Sequence, residues 1–447
     1  MKYATYNKYK PSPMAWLDQL PSHWNSASLR WMSKRYAGGT PDKGNEAYWE
    51  NGDIPWINSG AVNEGYITKP SELITREGFA SSSAKWIPKD ALVMALAGQG
   101  KTKGMVAQLG IPTTCNQSMA ALIPDQRFTP RYLYYWLTAN YQNIRNLAGG
   151  EARDGLNLEM LGSIPCPVPP VDEQQTIARF LDAKTAQIDA LVAQKSQLIE
   201  KLKEKRQALI ARTVTRGLPP EAAKAAGLEP HPEMMDSGGD WLGEMPSGWK
   251  IMPLRRLIKF VKTGNTPSGA EEYHFEVEGF NWYTPSDFSE DIYLGHANRA
   301  LSAEGKAEVR VFPEKTVMLV GIGATIGKVG LALSECSCNQ QINAIGCGSA
   351  LNPIFATYYL KILRDFIVKC GKFTTMPIIN QDETKNLVFT VPPLAEQSAI
   401  ATYLDHETIA IDQLMNRIDE AIYRLTEYRQ ALITSAVTGK IDVQGLA

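Results

Sequence analysis

The sequence predicts an α+β protein in which two mixed α/β globular domains are separated by two long coiled-coil helices. Three observations predict this fold class. Two long segments each carry a heptad pattern, the second segment repeats the first at a constant offset, and short strand-like runs bounded by glycine and proline precede each of them. The chain is therefore an internal duplication of a globular part followed by a long helix.

The first long helix is predicted over residues 170–217. Pro170 is tolerated in a first helical turn, and Gly217 supplies the left-handed conformation that commonly ends a helix. Apolar residues recur on alternating steps of four and three and define a coiled-coil seam, formed by Ile177, Leu181, Ile188, Leu191, Leu198, Leu202 and Leu209. A seam this narrow requires a partner helix.

The second long helix is predicted over residues 393–440 and supplies that partner. Its seam consists of Ile400, Leu404, Ile411, Leu414, Ile418, Leu425, Tyr428 and Leu432. Equivalent positions of the two segments, such as 181 and 404, differ by 223. The first segment has nine Lys/Arg and six Asp/Glu, whereas the second has four and seven. Opposite net charges favour pairing of the two unlike helices.

The globular parts repeat as well. The motif WLDQLPSHW at residues 16–24 recurs as WLGEMPSGW at residues 241–249, and Cys-Asn-Gln at 115–117 recurs at 338–340. Strand-like runs are predicted at 92–97, 105–109, 316–320 and 329–333, and helical segments at 131–148 and 353–370. Residues 1–15 are predicted to be a loosely ordered lead-in. Residues 218–240, which lack apolar periodicity, are predicted to be a linker.

Composition excludes several classes of protein. No apolar run approaches the ~20 residues of a membrane span, and the N-terminal residues lack the apolar core of a signal peptide, so we expect a cytoplasmic protein without membrane association. The six cysteines form no C-x-x-C motif, which favours reduced thiols over a metal site. A net charge of −1 does not indicate nucleic-acid binding, but it does not exclude a local basic patch.

Residues 95–102 fit a relaxed phosphate-loop pattern, with Lys101 and Thr102 at the functional positions. The internal copy has Val329 after Lys328, where a phosphate loop requires Ser or Thr. A structural glycine turn is therefore favoured, and a P-loop NTPase is the less favoured alternative. A turn carrying Lys101, Thr102 and Lys103 is also suited to approach a nucleic-acid backbone.

The sequence contains no base-methylation tetrapeptide and no clear nuclease cluster, so we expect a non-catalytic chain without a bound cofactor or metal. Asn116, Gln117, Asn339 and Gln340 lie at equivalent positions of the two copies. Their side chains are able to recognise adenine edges, although hydrogen bonds that fix a turn are the favoured interpretation. Both interpretations stay open.

The repeated motifs together resemble one family, the specificity subunits of type I restriction-modification systems. The resemblance rests on the W-L-x-x-x-P-S-x-W openings, the G-x-V and N-Q segments, and the P-P-x-x-E-Q helix openings, each present twice and in the same order. It implies target-recognition domains at residues 1–169 and 241–392. It also implies that the helices at 170–217 and 393–440, joined by the 218–240 linker, form an antiparallel coiled coil with pseudo-two-fold symmetry.

The resemblance further implies a subunit that recognises a bipartite site on double-stranded DNA and docks two modification subunits. Restriction subunits would join them. S-adenosylmethionine, ATP and Mg²⁺ would then be used by the partner subunits, and the assembled complex would be an adenine-N6 DNA methyltransferase and an ATP-dependent endonuclease. Residues 41–86 and 267–311 match poorly between the halves, as expected if each half recognises a different short sequence.

The family has no fixed contact motif, so the candidate DNA-binding residues are chosen physically from polar and basic loops. They are Lys101, Thr102, Lys103, Asn116, Gln117, Arg153, Asn157, Lys328, Asn339, Gln340, Lys372, Thr374, Thr375 and Asn380. The main alternative from another class is a coiled-coil scaffold that binds protein partners and no DNA.

Overall fold

A computed structural model describes residues 3–98, 100–148, 155–231, 233–238, 243–270, 272–370 and 377–446. The chain divides into two compact units. The first unit comprises Met1–Ser196 and Asp419–Ala447, and the second comprises Gln197–Ile418. Each unit therefore contains one globular part together with a portion of each long helix.

The first unit is built mainly from short elements. Its strands are β1 (Tyr9–Pro11), β2 (Gln19–Pro21), β3 (Asn25–Ser28), β4 (Ser33–Ala37), β5 (Ile54–Ile57), β6 (Tyr66–Ile67), β7 (Glu72–Ile74), β8 (Leu92–Ala95), β9 (Val106–Leu109), β10 (Thr114–Cys115), β11 (Met119–Pro124) and β12 (Pro165–Val168). Its helices are α1 (Arg76–Ala80), α2 (Pro130–Ala139), α3 (Tyr141–Asn146), α4 (Leu158–Ser163) and the first part of the long helix α5 (Val171–Arg216).

A five-stranded sheet with the order β4-β11-β8-β9-β6 is central to this unit. Strand β8 is buried on both faces because the sheet separates two apolar clusters. Leu92 and Met94 pack in the cluster that contains Leu133 of helix α2, whereas Val93 packs in the cluster that contains Ile57 of strand β5. A strand buried on both faces consists of consecutive apolar residues, which is why the sequence predicted this strand correctly.

The second unit repeats this arrangement. Its strands are β13 (Met234–Asp236), β14 (Glu244–Pro246), β15 (Lys250–Pro253), β16 (Ile258–Thr263), β17 (Phe275–Glu276), β18 (Phe280–Tyr283), β19 (Tyr293–Leu294), β20 (Ala300–Leu301), β21 (Val317–Val320), β22 (Val329–Ala332), β23 (Ser337–Cys338), β24 (Ile342–Cys347) and β25 (Val388–Val391). Its helices are α6 (Pro220–Ala225), α7 (Ala303–Ala307), α8 (Pro353–Ile362), α9 (Arg364–Cys370), α10 (Gln381–Lys385) and most of the long helix α11 (Leu394–Val437).

The strand orders confirm the duplication. The main sheet of the second unit has the order β16-β24-β21-β22-β19, which is the connectivity of the first sheet element by element. The smaller sheets differ, with three strands (β10-β5-β7) in the first unit and four (β17-β20-β18-β23) in the second. The difference falls within the segments that match poorly in sequence, so the units share a scaffold and diverge in the parts attached to it.

Two segments that the sequence predicts to lack regular structure contain short elements. Strand β1 pairs with β2 near the start of the chain, and β13 pairs with β14. In each pair the first strand precedes a Trp-containing motif and the second lies within it, at the same offset of 225 residues. Residues 218–240 also contain helix α6. Elements of three to six residues are too short to show apolar periodicity, which is why the sequence did not predict them.

The two long helices lie within the predicted segments, and α11 ends three residues before its predicted end. Helix α5 has 46 residues and α11 has 44, and both follow a Pro-Pro pair. Gly217 and Gly439 follow the helices with φ of 79° and 70°, a conformation that favours glycine. None of the helices in the described part of the chain combines the length and the apolarity that a membrane crossing requires.

Ion pairs within each unit show that the helices pair in antiparallel orientation. In the first unit, Arg429 Nε donates to Asp189 Oδ1 at 2.8 Å and Arg429 Nη2 donates to Asp189 Oδ2 at 3.1 Å. In the second unit, Arg206 Nη2 donates to Asp412 Oδ2 at 3.1 Å. Residue numbers add to 618 in both pairs, so a higher number on one helix faces a lower number on the other.

The buried seam differs from the predicted one at several positions. Leu191, Leu198 and Leu414 are 46%, 44% and 45% exposed, Tyr428 is exposed, and Leu209 is half-buried. The buried or half-buried seam positions of α5 are Leu181, Thr185, Ile188, Val192, Lys195, Ile199, Leu202, Arg206 and Ile210, and those of α11 are Ile400, Leu404, Thr408, Ile411, Met415, Ile418, Ile422, Leu425, Arg429 and Leu432.

Polar residues at seam positions caused the error. The four-three spacing is kept over most of the seam and gives way to two steps of four at 202–210 and 400–408. Thr185, Arg206 and Thr408 occupy positions where a heptad pattern predicts apolar residues. Thr185 Oγ1 lies 3.2 Å from the hydroxyl of Tyr135, and the Arg206 guanidinium pairs with Asp412. Because their polar atoms have partners, these side chains are accommodated in the seam.

The corrected seam predicts a large loss of stability for one substitution and a small loss for a substitution at the adjacent residue. Ile199→Asp places an unpaired carboxylate where the native side chain is 7% exposed, and we expect it to lower the free energy of unfolding by about 3 kcal/mol. Leu198→Asp changes an exposed side chain and should cost less than about 0.5 kcal/mol. Urea unfolding of the two variants measures the difference. Equal destabilisation, or a larger effect at Leu198, would contradict the observed seam and support the seam predicted from the sequence.

A buried carboxylate lies in the first turn of each long helix. Glu173 Oε1 accepts hydrogen bonds from the hydroxyl of Tyr6 at 2.5 Å and from Trp24 Nε1 at 3.0 Å. Its Oε2 lies 2.9 Å from His23 Nε2. Burial and the bond to Glu173 raise the pKa of Tyr6, so the tyrosine remains a protonated donor. The Trp-containing motif therefore fixes the start of α5.

The second unit repeats this anchor with two substitutions, since His231 replaces Tyr6 and Gly248 stands where the first unit has His23. Glu396 Oε2 accepts from Trp249 Nε1 at 3.2 Å, and its Oε1 lies 2.5 Å from His231 Nε2. His231 follows Tyr6 by 225 residues, the offset that relates the two Trp-containing motifs. The segment before each motif thus supplies one side chain to the helix start, and residues 3–15 are part of the fold and not a loose lead-in.

Candidate nucleic-acid interface

The glycine turn of the first unit connects two antiparallel strands. Strands β8 and β9 pair directly, and residues between them include Gly100 and Gly104 with φ of 68° and 85°. A phosphate loop requires a strand followed by a helix N-terminus, whose free N–H groups bind the phosphates. Here the turn leads into a strand, so this arrangement does not support the P-loop alternative.

The candidate residues of this turn differ in accessibility. Lys101 is exposed and Thr102 is half-buried, whereas Lys103 is only 4% exposed. Burial leaves the Lys103 side chain unable to reach a DNA phosphate in this conformation. Lys101 borders a cleft of about 420 Å³ whose walls include Val62, Met105 and Val106. Polar side chains, among them Asn63 and Gln142, also line the cleft, but its glycine turn leads into strand β9 and not into the helix N-terminus of a phosphate loop.

The equivalent turn of the second unit also joins antiparallel strands, β21 and β22. Lys328 is half-buried, and its Nζ donates to the carbonyl oxygen of Phe288 at 2.9 Å. It borders a cleft of about 240 Å³ that also contains Glu290, Lys361 and Arg364. Burial lowers the pKa of Lys361, although Glu290, whose Oε2 is 3.2 Å away, opposes that shift. The two clefts occupy equivalent places and differ in charge.

A second pair of turns is rigid and nearly identical in the two units. A Cβ atom added to Gly38 would lie 2.0 Å from the carbonyl oxygen of Cys115, and one added to Gly264 would lie 1.9 Å from that of Cys338. Only glycine allows this contact. On the next residue, the carbonyl oxygen of Gly39 accepts from the indole of Trp56 at 3.0 Å. The indole of Trp282 donates to the carbonyl oxygen of Asn265 at the same distance, 3.0 Å.

The next residue of each turn is a threonine that contacts one of the predicted glutamines. Thr40 Oγ1 donates to Gln117 Oε1, and Thr266 Oγ1 donates to Gln340 Oε1 at 2.7 Å. Both glutamines are exposed. We call residues 38–41 with Gln117, and residues 264–267 with Gln340, the two Thr–Gln turns. In each, the amide oxygen accepts one hydrogen bond from the threonine, and the two amide N–H groups are donors available to a ligand.

The glutamines were predicted from the sequence, but the threonines were not. A clue was present, because Gly-Gly-Thr-Pro at 38–41 recurs as Gly-Asn-Thr-Pro at 264–267. This repeat lies at the edge of the segments that match poorly between the halves. Four residues at such a boundary are hard to recognise without the contacts that give them a role.

Three of the four predicted asparagines have structural partners. Asn339 Nδ2 donates to Gln341 Oε1 at 2.9 Å, whereas Asn116 Oδ1 is buried and has no hydrogen-bond partner among the described residues. Asn157 Oδ1 accepts from the backbone N–H of Met160 at 2.9 Å and caps helix α4. Asn380 Oδ1 accepts from the N–H groups of residues 382 and 383, both at 2.9 Å, and caps α10. Helix caps of this kind stabilise local structure.

The structure brings two of the candidates together in the second unit. Gln340 and Asn380 border one cleft of about 330 Å³, together with Ile322 and Ile378. Four other candidates, Arg153, Lys372, Thr374 and Thr375, lie outside the described residues.

Buried thiols near the Thr–Gln turns are not suited to nucleophilic chemistry. Burial raises the pKa of Cys115 to about 12 and that of Cys336 to about 12. Burial also raises the pKa of Cys338. A thiol whose pKa lies this far above neutrality is almost entirely protonated and therefore a poor nucleophile. These cysteines pack in the apolar clusters of their sheets.

Comparison with known proteins gives one consistent family. The family model described as "Type I restriction modification DNA specificity domain" matches residues 21–201 and again residues 246–424. The two matches fall on the two copies of the internal repeat.

Individual relatives agree with this match. The specificity subunit of the Escherichia coli type I restriction enzyme EcoR124I/EcoR124II is 31% identical over 191 residues, which cover 41% of this chain and 45% of that subunit. The StySPI specificity subunit of Salmonella potsdam is 21% identical over 445 residues, covering 95% of this chain and 91% of that one. A solved chain from a type I R-M system superposes with a TM-score of 0.72 at 17% identity, covering 94% of this chain and 99% of that one.

Proposed function

The chain belongs to the family of type I restriction modification DNA specificity proteins, and we propose that each of its two units recognises one half of a bipartite DNA target. The observation that carries this proposal is that the main sheets of the two units are alike, whereas the smaller sheets beside them differ. The main sheets share one strand order, whereas the smaller sheets have three strands in one unit and four in the other. Two readers on a common scaffold suit a target whose halves differ in sequence.

The proposed role is recognition without catalysis. We propose that two modification subunits dock on the chain and use S-adenosylmethionine, and that restriction subunits using ATP and Mg²⁺ complete the complex. That complex would act on DNA in the cytoplasm as an adenine-N6 methyltransferase and an ATP-dependent endonuclease. The assignment of these activities to the partners agrees with the contacts described above. The glycine turns lead into strands, and the cysteines near the Thr–Gln turns are buried and protonated.

Mapping of methylated bases tests the proposed function. A host that expresses the modification subunit together with this chain should acquire methylated adenines within one split sequence motif, and a host that expresses the modification subunit alone should not. The control is a host that expresses the chain alone, which should also lack the modification. Methylation that is independent of the chain, or a motif without an unspecified spacer, would contradict the proposal.

A further inference from the structure

An exposed cation lies beside each Thr–Gln turn. In the second unit, the backbone N–H of Arg310 donates to Asn265 Oδ1 at 2.9 Å, and Arg310 Nη1 donates to the carbonyl oxygen of Thr263 at 2.6 Å. Both partners belong to the turn or directly precede it. Arg310 is exposed and forms no ion pair with a carboxylate of the described residues.

The first unit has a cation at the equivalent position. Lys85 precedes Arg310 by 225 residues, is exposed, and has its Nζ 5.7 Å from the centre of the Tyr36 ring. The backbone before it packs on the turn, because a Cβ atom added to Gly39 would lie 2.4 Å from the amide nitrogen of Ala84. Within the described parts of the chain, Lys85 likewise has no ion-pair partner.

The donors of this arrangement match an anion better than a base edge. Recognition of adenine by glutamine uses the amide oxygen and the amide nitrogen together. In both Thr–Gln turns the oxygen already accepts from threonine, which occupies one of its two lone pairs and restrains its orientation, while both N–H groups of the amide face no acceptor among the hydrogen bonds of the described residues. N–H donors next to a cation suit the non-bridging oxygens of a phosphate diester. The interpretation of Gln117 and Gln340 as adenine readers is correspondingly weakened.

Repetition of the arrangement indicates what it binds. The surrounding segments diverge between the units, and under the proposed function they recognise different bases. An exposed arrangement that is kept in both units is suited to a ligand feature that both half-sites share. The sugar-phosphate backbone is common to every DNA sequence, and contacts to it fix a protein on the duplex without selecting bases.

We propose that the two Thr–Gln turns, with Lys85 in the first unit and Arg310 in the second, bind backbone phosphates of the two half-sites and position each unit on the duplex. This inference rests on the proposed function of the chain. It assigns these residues to affinity that is independent of sequence, and it leaves base selection to the divergent segments.

Substitution of glutamate for glutamine tests the amide donors. In Gln117→Glu and Gln340→Glu the carboxylate still accepts from threonine, but it presents acceptors to the phosphate in place of donors. We expect each variant, assembled with the modification subunits, to bind about tenfold more weakly to its target duplex and to a duplex of mixed sequence. The control is the pair Gln194→Glu and Gln413→Glu, which adds the same charge at exposed positions of the long helices and should leave affinity unchanged.

Salt dependence tests the cations. Affinity for DNA falls as salt rises, and the double variant Lys85→Gln, Arg310→Gln should make this dependence shallower. The slope of log affinity against log salt should become less negative by about 1.8, because each phosphate that is no longer neutralised accounts for about 0.9. Lys201→Gln with Lys205→Gln, two exposed positions on α5, should leave the slope unchanged. The Lys85→Gln, Arg310→Gln variant also decides the question if the glutamate variants fail to fold.

The outcomes separate the two proposals. If the wild-type complex shows no preference for a split target, the proposed function fails. If it shows that preference but affinity and salt slope are unaffected by the substitutions, the phosphate contact is wrong. A change in the methylated sequence itself would make the glutamines base readers and would also overturn the inference. Weaker binding to both duplexes with an unchanged methylated motif supports it.

Discussion

Replacement of Glu173 by alanine is expected to lower the free energy of unfolding of the first unit by about 3–5 kcal/mol. The Glu173 side chain is 4% exposed and accepts hydrogen bonds from both Tyr6 and Trp24. Its removal leaves a hydroxyl and an indole N–H without an acceptor in a buried site. It also detaches the segment that contains β1 from the first turn of α5.

The same helical turn provides a matched control. Asp172 is exposed, so Asp172→Ala removes a carboxylate near the helix N-terminus without creating a buried unpaired donor. Its cost should stay under about 1 kcal/mol. Glu396→Ala should reproduce the large effect in the second unit, because Glu396 accepts from Trp249 in the same way. Native-state hydrogen exchange measures the stability of each unit separately. Similar protection in Glu173→Ala and Asp172→Ala would show that the anchor contributes little.

The sequence was informative where one residue has one physical role. The proline pairs and Gly217 and Gly439 set the ends of the long helices, and the buried strands β8 and β21 appeared as apolar runs. Internal repetition supplied the rest of the architecture, since two copies of a weak motif at a constant offset exclude chance better than either copy alone.

Prediction from the sequence failed where a polar side chain takes a buried position. Thr185 and Arg206 occupy seam positions of α5 because Tyr135 and Asp412 satisfy them, and these partners are 50 and 206 residues away in the sequence. The Thr–Gln turns were not predicted either, because their hydrogen-bond partners are also far apart in the sequence. Thr40 and Gln117 are separated by 77 residues, and only folding brings them within hydrogen-bond distance.

Exchange of one globular part for that of a relative should change one half of the recognised DNA sequence completely. The structure provides suitable junctions, because β3 and β12 pair with each other at the beginning and the end of the first globular part. An exchange of residues 25–168 keeps Trp24 with Glu173 and therefore keeps the anchor of α5. The corresponding exchange in the second unit, residues 250–391, is bounded by the paired strands β15 and β25.

The most direct test of the two-reader account is the methylated motif of these two chimeras, each expressed with the modification subunit and compared with that of the parent chain. The account predicts that the exchange of residues 25–168 replaces one half of the motif, that the exchange of residues 250–391 replaces the other half, and that the spacer stays the same. If either exchange altered both halves, or if neither altered the motif, the units would not be independent readers of DNA.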